Sequence, residues 1–289
     1  MINLKNYIIE SLFDIEDNID NVDESIKDQI KQFLNDNFKN ASNCIISEKP
    51  NKDGKFEVSS KGDIEVKNKL ITSLTNGSFI WTYIKGNFTC IDCDLLTSLE
   101  GGPKKVGGYF SCSYCNLLTS LAGAPKVVGG SFNCGSCYSL TSLAGAPKEV
   151  GVSFTCNFCR SLTSLKGAPK KVGGDFYCNY CDSLISLEGA PEKVSKDFSC
   201  VYCKSLKSLK DSPKEVGGKF DCGHCKSLTS LKGAPKEVED FRCTYCTSLT
   251  SLEGAPEEGG EDFSCSGCGL AFTTKDVKKV SKVGGNIYI

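Results

Sequence analysis

The chain has 289 residues, of which 24% are charged, and a formal net charge of −1. This balance creates no global field that would favour nucleic acid or an anionic membrane surface. No apolar run approaches the length of a membrane span, and the opening "MINLKNYIIESLF" lacks the features of a secretory signal. We therefore expect a cytoplasmic protein whose thiols stay reduced.

Residues 1–40 differ in character from the rest of the chain. Apolar residues recur there at steps of three and four, which predicts an amphipathic helix over about 22–38: Val22, Ile26, Ile30, Phe33, Leu34 and Phe38. Asn21 or Asp23 is the predicted N-cap. Residues 2–13 suggest a shorter helix, and the acidic stretch "DIEDNIDNVDE" predicts a solvated linker between the two. We expect the segment 1–40 to cap the remainder of the chain, or to dock or target the protein.

The next residues lead into a repeat. Residues 41–61 are polar and predict a linker with one strand at 56–58, and "GDIEVKNKLITSL" (62–74) resembles a first repeat without cysteine. "FIWTYIKGNF" then lengthens the connection before the regular array.

The array carries a C-x-x-C pair in every unit, and the step between first cysteines is 22 residues with a single exception of 21. Cys44 is the one cysteine outside these pairs. The first members are Cys90, Cys112, Cys134, Cys156, Cys178, Cys200, Cys222, Cys243 and Cys265. The second members are Cys93, Cys115, Cys137, Cys159, Cys181, Cys203, Cys225, Cys246 and Cys268.

Each position of the unit has a physical meaning. A Phe lies two residues before each first Cys, so both face one side of a short strand. Two Leu, a Pro, a Val and a Gly-rich corner come next, and the Pro forbids a continuous helix. One unit buries too little to fold alone, so we predict a mainly β solenoid of stacked coils over residues 62–268. Residues 269–289 should cap it, with a short helix that has a Thr N-cap and ends at Gly284, and a final strand "NIYI".

The pattern "C-x-S-L-T-S-L … P-x-x-V … F-x-C-x-x-C" resembles leucine-rich repeats, in particular the short bacterial and BspA-like types. The resemblance covers about residues 62–289. It departs from that family where an Asn usually bonds the backbone of neighbouring coils, because the second Cys stands there. Units such as "GAPKKVGGDF" also look like repeat proteins of large tailed phages and gut bacteria. The resemblance implies a phage or bacterial accessory protein, located in a host cell or a virion.

The cysteine pairs allow several interpretations. The one we favour is buried free thiols, because Cys packs as a small apolar residue. Stacked strands would also bring thiols close enough for disulfides, whereas a redox dithiol would require an exposed site of lowered pKa. Two neighbouring pairs, for example Cys156, Cys159, Cys178 and Cys181, would supply four ligands for zinc or an iron–sulfur cluster. Nine pairs leave a remainder, however, and we expect no cofactor.

The residue before each second Cys forms an aromatic stripe, and its members are the candidate binding surface: Tyr114, Phe158, Tyr180, Tyr202, His224 and Tyr245. Such a row suits a protein interface, although the rings could instead only stack on one another and shield the turn. Charged residues at equivalent positions of the units are of mixed sign, and no catalytic motif is present. The sequence therefore predicts a non-enzymatic protein with an elongated surface for an unidentified protein partner. The alternative is a cysteine-rich solenoid that binds metal or acts in thiol redox chemistry.

Overall fold

The computed structural model describes the backbone of residues 4–289 and the side chains of residues 21–289. It is a β-solenoid of about eleven stacked coils, with a helix at the N-terminal end and a short helix and strand at the C-terminal end. Helix α1 spans Leu4–Asn37, a 3-10 turn spans Ala41–Asn43, and helix α2 spans Thr274–Val280. Two sheets run along the stack, and each coil contributes a very short strand to one or both.

The phenylalanine sheet has twelve strands. Its first pair is antiparallel and all later pairs are parallel, and from Phe88 to Phe263 each Phe lies opposite the Phe of the next coil. The strands are Phe38–Lys39, Ile64–Val66, Phe88–Thr89, Phe110–Ser111, Phe132–Asn133, Phe154–Thr155, Phe176–Tyr177, Phe198–Ser199, Lys219–Asp221, Asp240–Arg242, Asp262–Ser264 and Ile287–Tyr288.

The valine sheet has nine strands and begins with an antiparallel hairpin. Its strands are Cys44–Ile46, Phe56–Ser60, Phe79–Ile84, Lys105–Val106, Val127–Val128, Glu149–Val150, Lys171–Val172, Lys193–Val194 and Glu215–Val216. The segment predicted as a linker with one strand at 56–58 therefore holds two strands, and the cysteine-free unit at 62–74 joins the stack through Ile64–Val66. Beyond Glu215–Val216 the sheet continues only as single bridges, starting in the coil that is one residue short.

The core between the two sheets consists of stacked layers, and each regular coil contributes the same set of side chains. Because the strands pair in register at the repeat length, like side chains meet: seven consecutive pairs of Phe rings, from Phe88 to Phe241, stack with centroids 5.1–5.8 Å apart. The two Leu of each cysteine-bearing unit from Leu96 to Leu252 are also buried. Burying these apolar side chains is the main force that holds one coil on the next.

The N-terminal end is closed by α1 and a cluster of aromatic rings. Ile30 and Leu34 of α1 are buried, and the Trp81 ring packs edge-on against Phe38 and Phe88. The prediction of two helices joined by a solvated linker is wrong, as is the N-cap at Asn21 or Asp23, because α1 is continuous. The acidic stretch contains no Gly or Pro to end a helix, so its charge alone does not break one.

At the C-terminal end α2 buries Val277, and the strand Ile287–Tyr288 pairs with Asp262–Ser264. The predicted Thr N-cap is confirmed: Thr273 and Asp276 form a reciprocal capping box. The helix ends earlier than Gly284, however, since Ser281 is its C-cap in an extended conformation. The predicted final strand is also confirmed.

We expect two glycine substitutions to separate backbone strain from crowding. Gly77 and Gly167 both have positive φ, +90° and +95°, but a Cβ on Gly77 meets nothing within 4 Å, whereas on Gly167 it lies 2.5 Å from the backbone of the preceding coil. Gly77→Ala should lower the free energy of unfolding by about 1–2 kcal/mol through left-handed strain. Gly167→Ala should lower the free energy of unfolding by about 1–3 kcal/mol more than that, because its Cβ would push the two coils apart. Urea denaturation measures both, and equal losses would contradict the close approach of the coils.

Candidate functional site

The second cysteine of each pair joins its coil to the preceding one. Its thiol donates a hydrogen bond to the carbonyl of the first cysteine in the preceding coil, as Cys115 does to Cys90 at 2.9 Å and Cys181 does to Cys156 at 3.3 Å. The same bond recurs in every coil from Cys115 to Cys268. The thiol thus makes the inter-coil bond that an Asn side chain makes in the family the sequence resembles.

All nineteen cysteines are free thiols, and those of the pairs are buried except Cys268, which is partly buried. Burial raises the pKa of Cys134 and of Cys178 well above the ordinary range of a thiol, and it raises the pKa of Cys265 to about 12. Burial also raises the pKa of Cys44, outside the array, to about 12. These groups are therefore neutral near pH 7, and a neutral buried thiol is a poor nucleophile and a poor metal ligand.

The four thiols considered as metal ligands do not converge on one point. The Cys159 thiol donates to the carbonyl of Cys134 and the Cys178 thiol to that of Ser199. The Cys181 thiol donates to the carbonyl of Cys156, so each of these three is directed at a backbone oxygen. Within residues 21–289, no group of three or more Cys, His, Asp or Glu side chains is arranged to hold a metal ion. The residues present do not fit a zinc or iron–sulfur site.

Substitutions at Cys115 should test the hydrogen bond from the thiol. Cys115→Ala removes the donor to the buried Cys90 carbonyl and should lower the free energy of unfolding by about 1–3 kcal/mol. Cys115→Ser keeps an O–H donor at the same place and should lose less. Denaturant titration of both variants measures the difference, and an Ala variant as stable as the Ser variant would show that the bond contributes nothing.

Stability should fall at alkaline pH because the thiols are held neutral. A thiol whose pKa is about 8.5 when unfolded and about 12 when folded stabilises the fold fully below pH 8.5, and this contribution is lost as the pH rises towards 12. Unfolding midpoints measured from pH 7 to 11 should drop steeply above pH 9. Cys44→Ala should reduce the slope by at most about 1.4 kcal/mol per pH unit, and less because Cys44 is partly solvated. A flat profile would contradict neutral thiols.

The aromatic stripe occupies a special backbone position. Each residue before a second Cys is left-handed, with φ between 56° and 60° at Tyr114, Phe158, Tyr180, Tyr202, His224 and Tyr245. Its N–H donates to a carbonyl of the following coil, for example from Tyr202 to Gly223 at 3.0 Å. A bulky residue with positive φ is uncommon, so this inter-coil bond holds the backbone in a conformation that the side chain alone would not favour.

Five of the six predicted surface residues are brought together in one stack. We call them the aromatic ladder: Phe158, Tyr180, Tyr202, His224 and Tyr245. Neighbouring ring centroids are 4.2–4.8 Å apart and the planes are within 16° of parallel. Tyr114 is separated from the ladder by Ser136, the residue at this position in the coil between them. The rings stack on one another, and 36% of Tyr180 and 53% of Tyr245 remain exposed.

The stacking decides which part of each ring is available. The flat faces of Tyr180, Tyr202 and His224 are covered on both sides by neighbouring rings, so the outer ring edges form the exposed ridge. At its C-terminal end the Tyr245 ring lies against Gly267, where a Cβ would come within 2.6 Å of the ring. The ladder is a rigid row of ring edges, in which each ring is separated from the next by the distance between neighbouring coils.

A shallow groove of about 380 Å³ runs beside the C-terminal part of the ladder. Tyr202 and His224 form one wall, Asp221 and Arg242 are on the other, and the small Thr244 lies between them. This second wall consists of outward side chains from the phenylalanine sheet, so the sheet fixes the distance between the two walls.

The aspartates of this second wall were not among the site residues predicted from the sequence. Two of them, Asp221 and Asp262, line the groove. Asp175, Asp197 and Asp240 also lie next to the buried Phe of their coils, further along the same sheet. Aligning the units on their Phe places four of these aspartates directly before the Phe and Asp221 directly after it. Charged residues also follow the Pro and the second Leu of most units. There the signs are mixed, and neighbouring coils pair them, as in Lys166–Glu188 at 2.9 Å and Lys193–Glu215 at 2.6 Å.

No protein-family model, curated protein or solved structure matches the chain. In the part of the chain that the structure describes, no helix has both the length and the apolar character needed to cross a bilayer.

Proposed function

We propose that the protein is a non-enzymatic, leucine-rich-repeat-like interaction protein that presents the aromatic ladder, along the side of its solenoid, to another protein. The observation that carries this proposal is a continuous stack of five rings at the surface, of which Phe158, Tyr180 and Tyr245 are exposed and the other two are half-buried. Tyr is enriched among the residues that dominate binding energy at protein interfaces.

Rigidity of the ladder supports the proposal. A ring held between two others, on a backbone bonded to the next coil, has few rotamers left to lose when a partner binds. Its association therefore costs less conformational entropy than that of a free surface side chain. His224 belongs to this arrangement, since its ring lies 4.2 Å from Tyr202 and 4.8 Å from Tyr245, which favours a stacking role over a catalytic one.

The sequence resemblance favours the same function, because leucine-rich repeats are interaction modules. The similarity of the units to repeats of phage and gut-bacterial proteins suggests an accessory protein of a phage or bacterium. The alternative, a metal- or redox-active solenoid, is disfavoured because burial raises the pKa of Cys134 and Cys178 and because the thiols of Cys159 and Cys181 are directed at backbone carbonyls. Counting reactive thiols before and after unfolding, with elemental analysis of the purified protein, separates the two.

A displayed random-peptide library selected on the wild-type protein tests the proposed surface. Binding of the selected peptides should fall at least tenfold when Tyr180, Tyr202 and Tyr245 are all changed to Asn. We choose Asn rather than Ala because Asn tolerates the left-handed backbone that these positions require.

The matched control changes two exposed tyrosines outside the ladder, Tyr83→Asn and Tyr138→Asn. It should leave binding unchanged. Peptides that bind the ladder variant as tightly as the wild type would refute the proposed surface, provided that circular dichroism shows both variants folded.

A further inference from the structure

The wall opposite the aromatic ladder carries a local excess of negative charge. In the five coils from Phe176 to Phe263, the residues directly before and after each Phe include five Asp and two basic residues, Lys219 and Arg242, which leaves a net charge of −3. Arg242 lines the groove and pairs with Asp240 at 3.8 Å, whereas Asp221 and Asp262 form no such pair among the described residues. The chain as a whole has a net charge of only −1. On the other charged columns, Lys and Glu of neighbouring coils pair at 2.6–3.5 Å, so their charges cancel locally.

Backbone bonds hold these carboxylates in place. One oxygen of Asp197 accepts from the N–H of Lys219 at 2.9 Å, and one oxygen of Asp240 accepts from the N–H of Asp262 at 3.2 Å. Asp262 in turn accepts from the N–H of Asn286 at 2.9 Å. Each bond uses an oxygen to fix the next coil, so the carboxylates are positioned by the fold.

Asp221 lies beside the ladder. It lines the groove with Tyr202 and His224, and one of its oxygens accepts from the N–H of Gly223 at 3.0 Å. Burial raises the pKa of Asp221, although the Gly223 N–H, Lys219, Arg242 and His224 act in the opposite direction. A partly desolvated carboxylate beside a row of rings gains from a cation that enters the groove.

We propose that the groove binds an extended polypeptide segment in which basic side chains alternate with apolar ones. The basic groups would pair with Asp221 and Asp262, the two aspartates that line the groove, and the apolar side chains would lie on the exposed edges of the aromatic ladder. The segment would span about six residues, since five coils cover about 19 Å at a strand spacing of about 4.8 Å. This inference rests on the proposed function and names the chemistry of the partner.

Three labelled peptides of twelve residues test the chemistry: four repeats of Lys-Leu-Thr, of Gln-Leu-Thr and of Glu-Leu-Thr. Three residues of an extended, polyproline-II-like segment complete one turn of about 9 Å, close to two coils, so each repeat can place its charged residue in a like environment. Fluorescence anisotropy at 0.1 M salt should show that the Lys peptide binds at least tenfold tighter than the Gln peptide. The Glu peptide should show no binding at the concentrations used.

The double variant Asp221→Asn and Asp262→Asn should weaken binding of the Lys peptide at least fivefold. Asn keeps an oxygen for the N–H groups of Gly223 and Asn286, so the fold is preserved. The control is Glu188→Gln with Glu192→Gln, which removes the same charge from acidic residues paired with lysines on another surface. The control should bind as the wild type does.

The outcomes separate the inference from the proposed function. Equal binding of the three peptides, or equal weakening in the control variant, would overturn the basic partner even if the tyrosine-to-Asn variant still lost binding. Loss of binding in the aspartate variant but not in the tyrosine-to-Asn variant would support a basic partner and would refute the ladder as part of its binding site. No binding of the Lys peptide at 1 mM would overturn the inference.

Discussion

The whole molecule depends on the in-register hydrogen bonding of each coil to the next at the repeat length. This bonding places Phe on Phe, thiol beside carbonyl and ring on ring, because residues at equal positions are neighbours across the stack. A single coil has no other coil on which to bury its Phe and Leu, so its stability comes from the interfaces with its neighbours. The columns of Phe, Cys and aromatic side chains are all consequences of that one alignment.

The cysteines are best understood within this constraint. At the second Cys position the side chain must be small, must tolerate burial and must satisfy a buried carbonyl of the preceding coil. A thiol meets the three requirements, since it is among the most buried side chains and is a weak donor. A C-x-x-C pair in every unit therefore results from packing and from backbone satisfaction, and the chemistry usually associated with that motif is not needed to explain it.

Much of the fold was predictable because it depends on periodicity. The facing of Phe and Cys, the two Leu and the capping box at Thr273 all derive from spacing or from local rules. The left-handed backbone at Tyr180 and Tyr202 was not predictable in this way. No local preference of a bulky ring indicates positive φ, and only bonds between coils impose it. The acidic stretch predicted a break that α1 does not have, because charge alone does not end a helix. The ladder is visible as one position of the repeat, but Asp221 and Asp262 beside it occupy two other positions.

The coil that is one residue short has a mechanical consequence. Across it the phenylalanine sheet stays in register, with Phe220 opposite Phe241, while the valine sheet is reduced to isolated bridges such as Glu237–Glu258. The last coils are thus joined by continuous strand pairing in the phenylalanine sheet alone, rather than in both sheets. A tensile load applied at the C-terminus would peel these coils away first and leave the doubly fastened part of the rod intact.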